Sequence, residues 1–195
     1  MAGPTYDKPT TVGVALRWAY ADLAKAHSAL ADGAASYGQL HFIVRARLFK
    51  GLTTGTMNVG TLLDDERVKF ASRGCCYCGR EEKLTLDHLV PVSRGGSDAI
   101  VNIVWACQSC NSSKGGRDLL VWYDSRGLFP PLMLYRRYLK LAILHCTERG
   151  LVDTGLDDTS GIPFAFDLMV AGLPKLDRLQ LVAAPPSPSA PSSGP

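Results

Sequence analysis

Nowhere in the chain do roughly eighteen uncharged apolar residues follow one another, so no membrane-spanning helix is expected. The N-terminus shows no basic stretch leading into an uninterrupted apolar segment, which argues against a secretory signal peptide and makes the cytoplasm the default location. Charge of one sign is also scarce. The 21 Lys and Arg against 18 Asp and Glu leave a formal charge of +3, which permits a polyanionic partner without arguing for one. No internal repeat is visible, and oligomeric state leaves no mark. The remaining composition, 46% apolar and 20% charged, is that of a globular protein.

Cysteine is what the chain does have. Cys75, Cys76, Cys78, Cys107 and Cys110 crowd together, and Cys146 stands apart. In a reducing compartment disulfides are disfavoured, and paired C-x-x-C turns more often hold a metal. Cys75–Cys78 and Cys107–Cys110 are two such turns. Each aims two thiolates at one ion, and together they complete a tetrahedral Zn²⁺ shell. Gly79 can take the left-handed backbone that closes the first turn. Cys76 could pair with Cys78 only as a tighter C-x-C, so Cys75 is the expected ligand and Cys146 a core thiol.

Around this clamp the pattern is helical. Leu16, Tyr20, Leu23, His27 and Leu30 recur at helical spacing from Thr11 to Leu30, with Asp32-Gly33 as the stop. A second helix is expected over 36–50, ended by Gly51, then a loop over 51–60. Thr61 and Asp64 resemble a capping box opening a short helix over 61–72. Leu84–Leu86 and Asn102–Ala106 read as short strands separated by the breaker-rich loop Pro91–Asp98. A helix follows from Ser109 to Gly115, with another helical piece over Leu119–Tyr123. Pro130-Pro131 opens a longer helix that Gly150 closes, with Arg136, Arg137 and Lys140 as its polar face. Residues 151–182 read as mixed loop and short helix, with Asp157-Asp158 in a solvated loop. The Pro/Ser-rich end from Ala183 cannot bury enough apolar surface to fold. The division expected is 1–73 helical, 74–127 the cysteine-bracketed module, 128–182 helical, and 183–195 a disordered tail. His27, His41 and His145 read as core or surface histidines.

Between and just after the two cysteine turns come Asp87-His88, the loop from Pro91, Asn102, Asn111 and Lys114. The ordered combination C-x-x-C…D-H…P-x-S-x-G-G…N…C-x-x-C-N-x-x-K resembles the four-cysteine branch of the HNH endonucleases. It covers Cys75 to about Asp118 and leaves both flanks unexplained. The resemblance implies an α+β fold, a small ββα-metal module, here flanked by helices on both sides. It implies that His88 is the general base, that Asp87 and Asn111 hold a catalytic Mg²⁺ or Mn²⁺, and that Asn102 fixes the hairpin loop. The family's third position is here asparagine rather than histidine, a variant suited to a hard cation.

The chemistry fits these residue types. Histidine can take a proton from water near neutral pH, and one carboxylate plus one amide leave Mg²⁺ mostly water- and phosphate-coordinated. Lys114, Arg117 and Arg94 are the expected phosphate contacts on nucleic acid, double-stranded DNA foremost. One geometric demand follows. Adjacent residues in a flat strand point to opposite faces, so Asp87 and His88 share a site only if the chain bends there. The alternative is a non-catalytic zinc module that binds nucleic acid or protein.

Overall fold

The computed structural model describes residues 9–59 and 74–184. The helix expected over 61–72 lies outside those residues, and so does the tail beyond Ala184. Helix α1 (Val12–Ala31) starts where Thr11 Oγ1 accepts from Val14 N at 3.4 Å. Two further N–H groups of its first turn, on Val12 and Gly13, donate to Thr154 O and Val152 O at 2.9 and 2.8 Å. A side chain at position 13 would bring a Cβ within 2.7 Å of Val152 O, so glycine is what lets this loop seat the helix.

Helix α2 (Gln39–Thr53) packs antiparallel to α1 and runs past its expected end at Gly51. The chain folds back so that Met57 Cγ lies 2.7 Å from where a Cβ of residue 51 would be, and Met57 N donates to Gly51 O at 3.0 Å. Gly51 is a packing glycine rather than a helix stop. His41 secures the other end, accepting from Gly38 N at Nδ1 (2.8 Å).

Strands β1 (Leu84–His88) and β2 (Ile103–Cys107) form an antiparallel pair in which Leu86 faces Trp105, Asp87 faces Val104 and His88 faces Ile103. Asn102, expected to open the second strand, instead ends the 3-10 turn Ile100–Asn102 before it. The pleat divides the hairpin. Asp87, Val104 and Ala106 face inward and are buried, while Leu86 and Trp105 face outward and are exposed.

Helix α3 (Gln108–Lys114) follows directly and lies against both strands. The short helix α4 (Leu119–Asp124) is capped by Asp118, whose Oδ1 accepts from Leu120 N and Val121 N and whose Oδ2 accepts from the Tyr138 hydroxyl. Helix α5 (Leu132–Glu148) has no side-chain cap at Pro131; instead Leu132 N and Met133 N donate to Gln180 O and Leu181 O of the C-terminal segment. After α6 (Phe166–Val170) the chain returns across these groups.

The basic face expected on α5 is a correction. Arg136 and Lys140 are buried at 5% and 4% exposure, because α5 packs against α1 on the side those residues occupy. Arg136 donates to the Tyr20 hydroxyl at 3.3 Å, and Arg137 donates to Ile100 O and Val101 O at 2.5 and 2.6 Å. Their stems and heads therefore serve packing and loop anchoring rather than a polyanion. Cys146 is fully buried, and burial pushes its thiol up to about 11. One apolar cluster joins Leu16, Leu89, Trp122 and Leu139, so the three helical and strand-bearing segments share a core. No described helix is long and apolar enough to cross a membrane.

Candidate metal centre and nuclease site

The first cysteine turn hangs from β2. Cys76 N donates to Trp105 O at 2.9 Å, and Cys75 N donates to Arg80 O at 2.7 Å. Gly79, at φ 76, closes it with a bond to Cys75 O at 2.7 Å. The second turn is the start of α3, where Cys107 Sγ accepts from Cys110 N at 3.5 Å as the helix N-cap. The register pairing Leu84 with Cys107 brings the two turns together at one end of the hairpin.

The four Sγ atoms of Cys75, Cys78, Cys107 and Cys110 lie within 4.8 Å of one another. Cys78 Sγ and Cys107 Sγ are 3.7 Å apart. A regular tetrahedron with Zn–S bonds of about 2.3 Å has an edge of about 3.8 Å, so the donor set fits zinc. Within the cluster the Cys75 thiol is pulled down to about 5, first by the hydrogen bond from Cys110, against burial, and then by backbone N–H groups. Cys110, the donor, is pushed the other way. Cys76 stays outside, its thiol held well above its usual value mainly by burial. The choice of Cys75 over Cys76 is thereby settled by geometry.

Asn102 is fully buried and replaces a missing stretch of strand pairing. Its Oδ1 accepts from Val90 N (2.8 Å), and its Nδ2 donates to Val90 O (2.9 Å) and Ser97 O (2.8 Å). Gly96 lies against this amide, where a Cβ would sit 1.9 Å from Val90 O.

Asp87 lies in the interface between the hairpin and α3. Its Oδ2 accepts from the Tyr77 hydroxyl at 2.6 Å and pairs with Lys114 Nζ at 3.0 Å. The Lys114 side chain is 0% exposed and also donates to His88 O at 2.7 Å. Expected from the sequence as a phosphate contact, Lys114 is an internal cation here, because α3 packs its last turn against the strand. Asn111, one turn earlier on the same helix face, donates through Nδ2 to Thr85 Oγ1 (3.0 Å) and Leu86 O (3.3 Å). Among the described residues, neither Asp87 Oδ1 nor Asn111 Oδ1 takes a hydrogen bond. Two hard oxygen donors are thus left over, a set that suits Mg²⁺ or Mn²⁺.

His88 follows the pleat to the other side. Its Nε2 contacts Asp98 Oδ1 at 2.7 Å in the loop beyond Pro91, and a third of its side chain is exposed. With Nε2–H given to that carboxylate, Nδ1 keeps its lone pair. Lys114 thus meets Asp87, Asn111 bonds the neighbouring Thr85 and Leu86 of the same strand, and His88 is oriented separately by Asp98. Arg117 is exposed and donates to the Ser113 and Lys114 carbonyls at the end of α3, and Arg94 reaches Pro163 O at 3.3 Å.

Tyr77 and Asp98 are functional candidates that sequence reasoning passed over. Tyr77 had a signal, since an aromatic with one polar atom between two clustered cysteines needs a buried partner. Burial, then the neighbouring Cys76 and Asp87, hold its phenol well above its usual value, so it stays a donor. Asp98 had none beyond lying in the loop.

Residues 75–117 match the family model described as HNH endonuclease. No curated protein and no solved structure matches the chain. The segment that carries the cysteine cluster, the hairpin and α3 is therefore an HNH domain, flanked by helices on both sides in an α+β chain.

Proposed function

We propose that the chain is a metal-dependent endonuclease that hydrolyses phosphodiester bonds in nucleic acid, double-stranded DNA foremost. The observation that carries this is the pair of uncommitted oxygens, Asp87 Oδ1 and Asn111 Oδ1, at the hairpin–helix interface, followed in the strand by a histidine whose ring is held by the Asp98 carboxylate. In this reading Asp87 and Asn111 hold a divalent cation, and His88 takes the proton of the attacking water at Nδ1. A bound Mg²⁺ or Mn²⁺ supplies Lewis acidity and compensates charge on the scissile phosphate. Asn102 keeps the loop between His88 and Asp98 at one length, so that the acceptor reaches the imidazole. Arg117 and Arg94 contact flanking phosphates, and Zn²⁺ in the four-cysteine cluster holds the hairpin to α3, contributing on the order of 10 kcal/mol of folding energy. One such site cuts one strand. A cytoplasmic location accords with cysteines kept as thiolates for zinc.

One observation favours a second reading, a non-catalytic zinc module that binds nucleic acid or protein. The pleat turns His88 away from Asp87, and Lys114 already satisfies one oxygen of that carboxylate. The deciding experiment is nicking of supercoiled plasmid in Mg²⁺ or Mn²⁺ by the wild type and His88→Ala. The expected outcome is a folded, zinc-loaded variant that nicks roughly 10²–10⁴ times more slowly, the usual worth of a general base. Equal rates in the two proteins would refute the role of His88, and no nicking by either would favour the binding module.

A further inference from the structure

Tyr77 lies inside the first cysteine turn, yet its hydroxyl is spent on the carboxylate of the neighbouring site. Two groups meet Asp87 at one atom: the Tyr77 hydroxyl donates to Oδ2 at 2.6 Å, and Lys114 Nζ forms an ion pair with the same oxygen at 3.0 Å. A carboxylate held at one oxygen has lost its rotation about Cβ–Cγ, and the other oxygen is aimed. Lys114 alone would do this at a cost, because its positive charge also opposes a cation arriving at Oδ1. The neutral phenol fixes the same atom without that repulsion.

Nor can Tyr77 drift. Its ring packs edge-on against Trp122, with centroids 5.2 Å apart at 79°, and its carbonyl accepts from the Tyr123 hydroxyl at 3.0 Å. Its turn is closed at both ends by Cys75 and Gly79.

We propose that Tyr77 is a positioning residue for the divalent cation, carrying the rigidity of the zinc turn to Asp87 and presenting Oδ1 as a single ligand. The proposal rests on the reading of Asp87 as a cation ligand, and the test keeps the two apart. Mn²⁺ affinity of the full-length, zinc-loaded protein is measured by electron paramagnetic resonance, without substrate, for the wild type, Tyr77→Phe, Asp87→Asn and Tyr135→Phe. Tyr135 also carries a buried hydroxyl, donated to Met169 O at 2.8 Å in another part of the core, and controls for the loss of such a group.

Tyr77→Phe, with zinc content near one per chain, is expected to bind Mn²⁺ about 10–100-fold more weakly, the usual effect of removing a partner of a metal ligand. Asp87→Asn is expected to lose at least as much, and Tyr135→Phe nothing. A second variant, Tyr123→Phe, leaves the Tyr77 hydroxyl but releases its carbonyl, and should weaken Mn²⁺ in the same direction by a smaller factor. Unchanged Mn²⁺ affinity in whichever of the two Tyr77-directed variants keeps its zinc, with Asp87→Asn impaired, overturns the proposal alone. Unchanged affinity in Asp87→Asn overturns the ligand assignment of Asp87 and the proposal with it.

Discussion

Lys114 is where burial and sequence pattern disagree most sharply, and Lys114→Met separates them. The substitution keeps the length and apolar stem of the side chain and removes the ammonium. In the native chain that ammonium is 0% exposed, 3.0 Å from Asp87 Oδ2, and the Asp87 side chain is 10% exposed. Its loss leaves a desolvated carboxylate with Tyr77 as its remaining donor and removes the 2.7 Å bond to His88 O. Breaking a buried pair from one side costs about 3–5 kcal/mol. Since Tyr77 still compensates part of the charge, about 3 kcal/mol is expected here. With a urea m-value of about 2 kcal/mol/M, the midpoint should fall by roughly 1.5 M.

Tryptophan fluorescence is a suitable assay, because Trp122 is fully buried beside Tyr77. Lys114→Met/Asp87→Asn, which removes both charges, should recover more than half of the loss, a coupling that only groups in contact display. An exposed phosphate-binding lysine behaves otherwise. Its removal would cost under about 0.5 kcal/mol and would lower the slope of log K for DNA against log salt by about 0.9. That pair of results would refute the internal role argued for Lys114.

Other consequences can be checked independently. Metal analysis should find about one zinc per chain, and Cys107→Ser, which removes a ligand while leaving a hydroxyl able to cap α3, should abolish both zinc binding and cooperative unfolding, as followed by emission spectroscopy and denaturant titration. Gly96→Ala should destabilise by more than about 2 kcal/mol in the same titration, since its Cβ would fall 1.9 Å from Val90 O, a backbone atom with little room to move. A stability change below about 0.5 kcal/mol would show the loop to be looser than described. Thiol reagents should leave Cys146 untouched in the native protein. Burial both closes the thiol to reagent and holds it near 11, so at pH 8 Cys146 should label only after denaturant unfolds the chain, and rapid labelling of the folded protein would refute its burial.

How much of this was legible beforehand differs by element. The cysteine turns were, because ligand spacing is a local property of the chain and the register of one short hairpin brings them together. The hairpin, α3 and the long helix from Leu132 were legible from breakers and periodicity. Gly51 was misread as a stop because the reason for a glycine there, Met57 folding back, lies several residues on. The basic triplet on α5 was misread because periodicity identifies a polar face but not whether another helix covers it. Lys114 was misread for the same reason at the site itself: a lysine after a cation ligand looks like a phosphate contact until α3 is seen to press it against the strand. Asp98 could not be found at all, since its pairing with His88 depends on the loop closure that Asn102 enforces. The alternation of Asp87 and His88, by contrast, was demanded by strand geometry, and the structure obeys it.

Cys107 has a bearing on how such a chain can change over time. It ends β2, offers its sulfur to the cluster, and receives the N–H of Cys110 at the head of α3. Inserting or deleting one residue between Ile103 and Cys110 would flip the strand's faces, pull a thiolate from the cluster and rotate Asn111 about 100° around the helix, all at once. Lineages descended from this sequence should therefore hold that stretch at constant length while its side chains vary. Length changes should accumulate elsewhere, in segments such as the exposed turn from Asp157 to Ser160, beyond the bridge that ties Thr11 to Gly155.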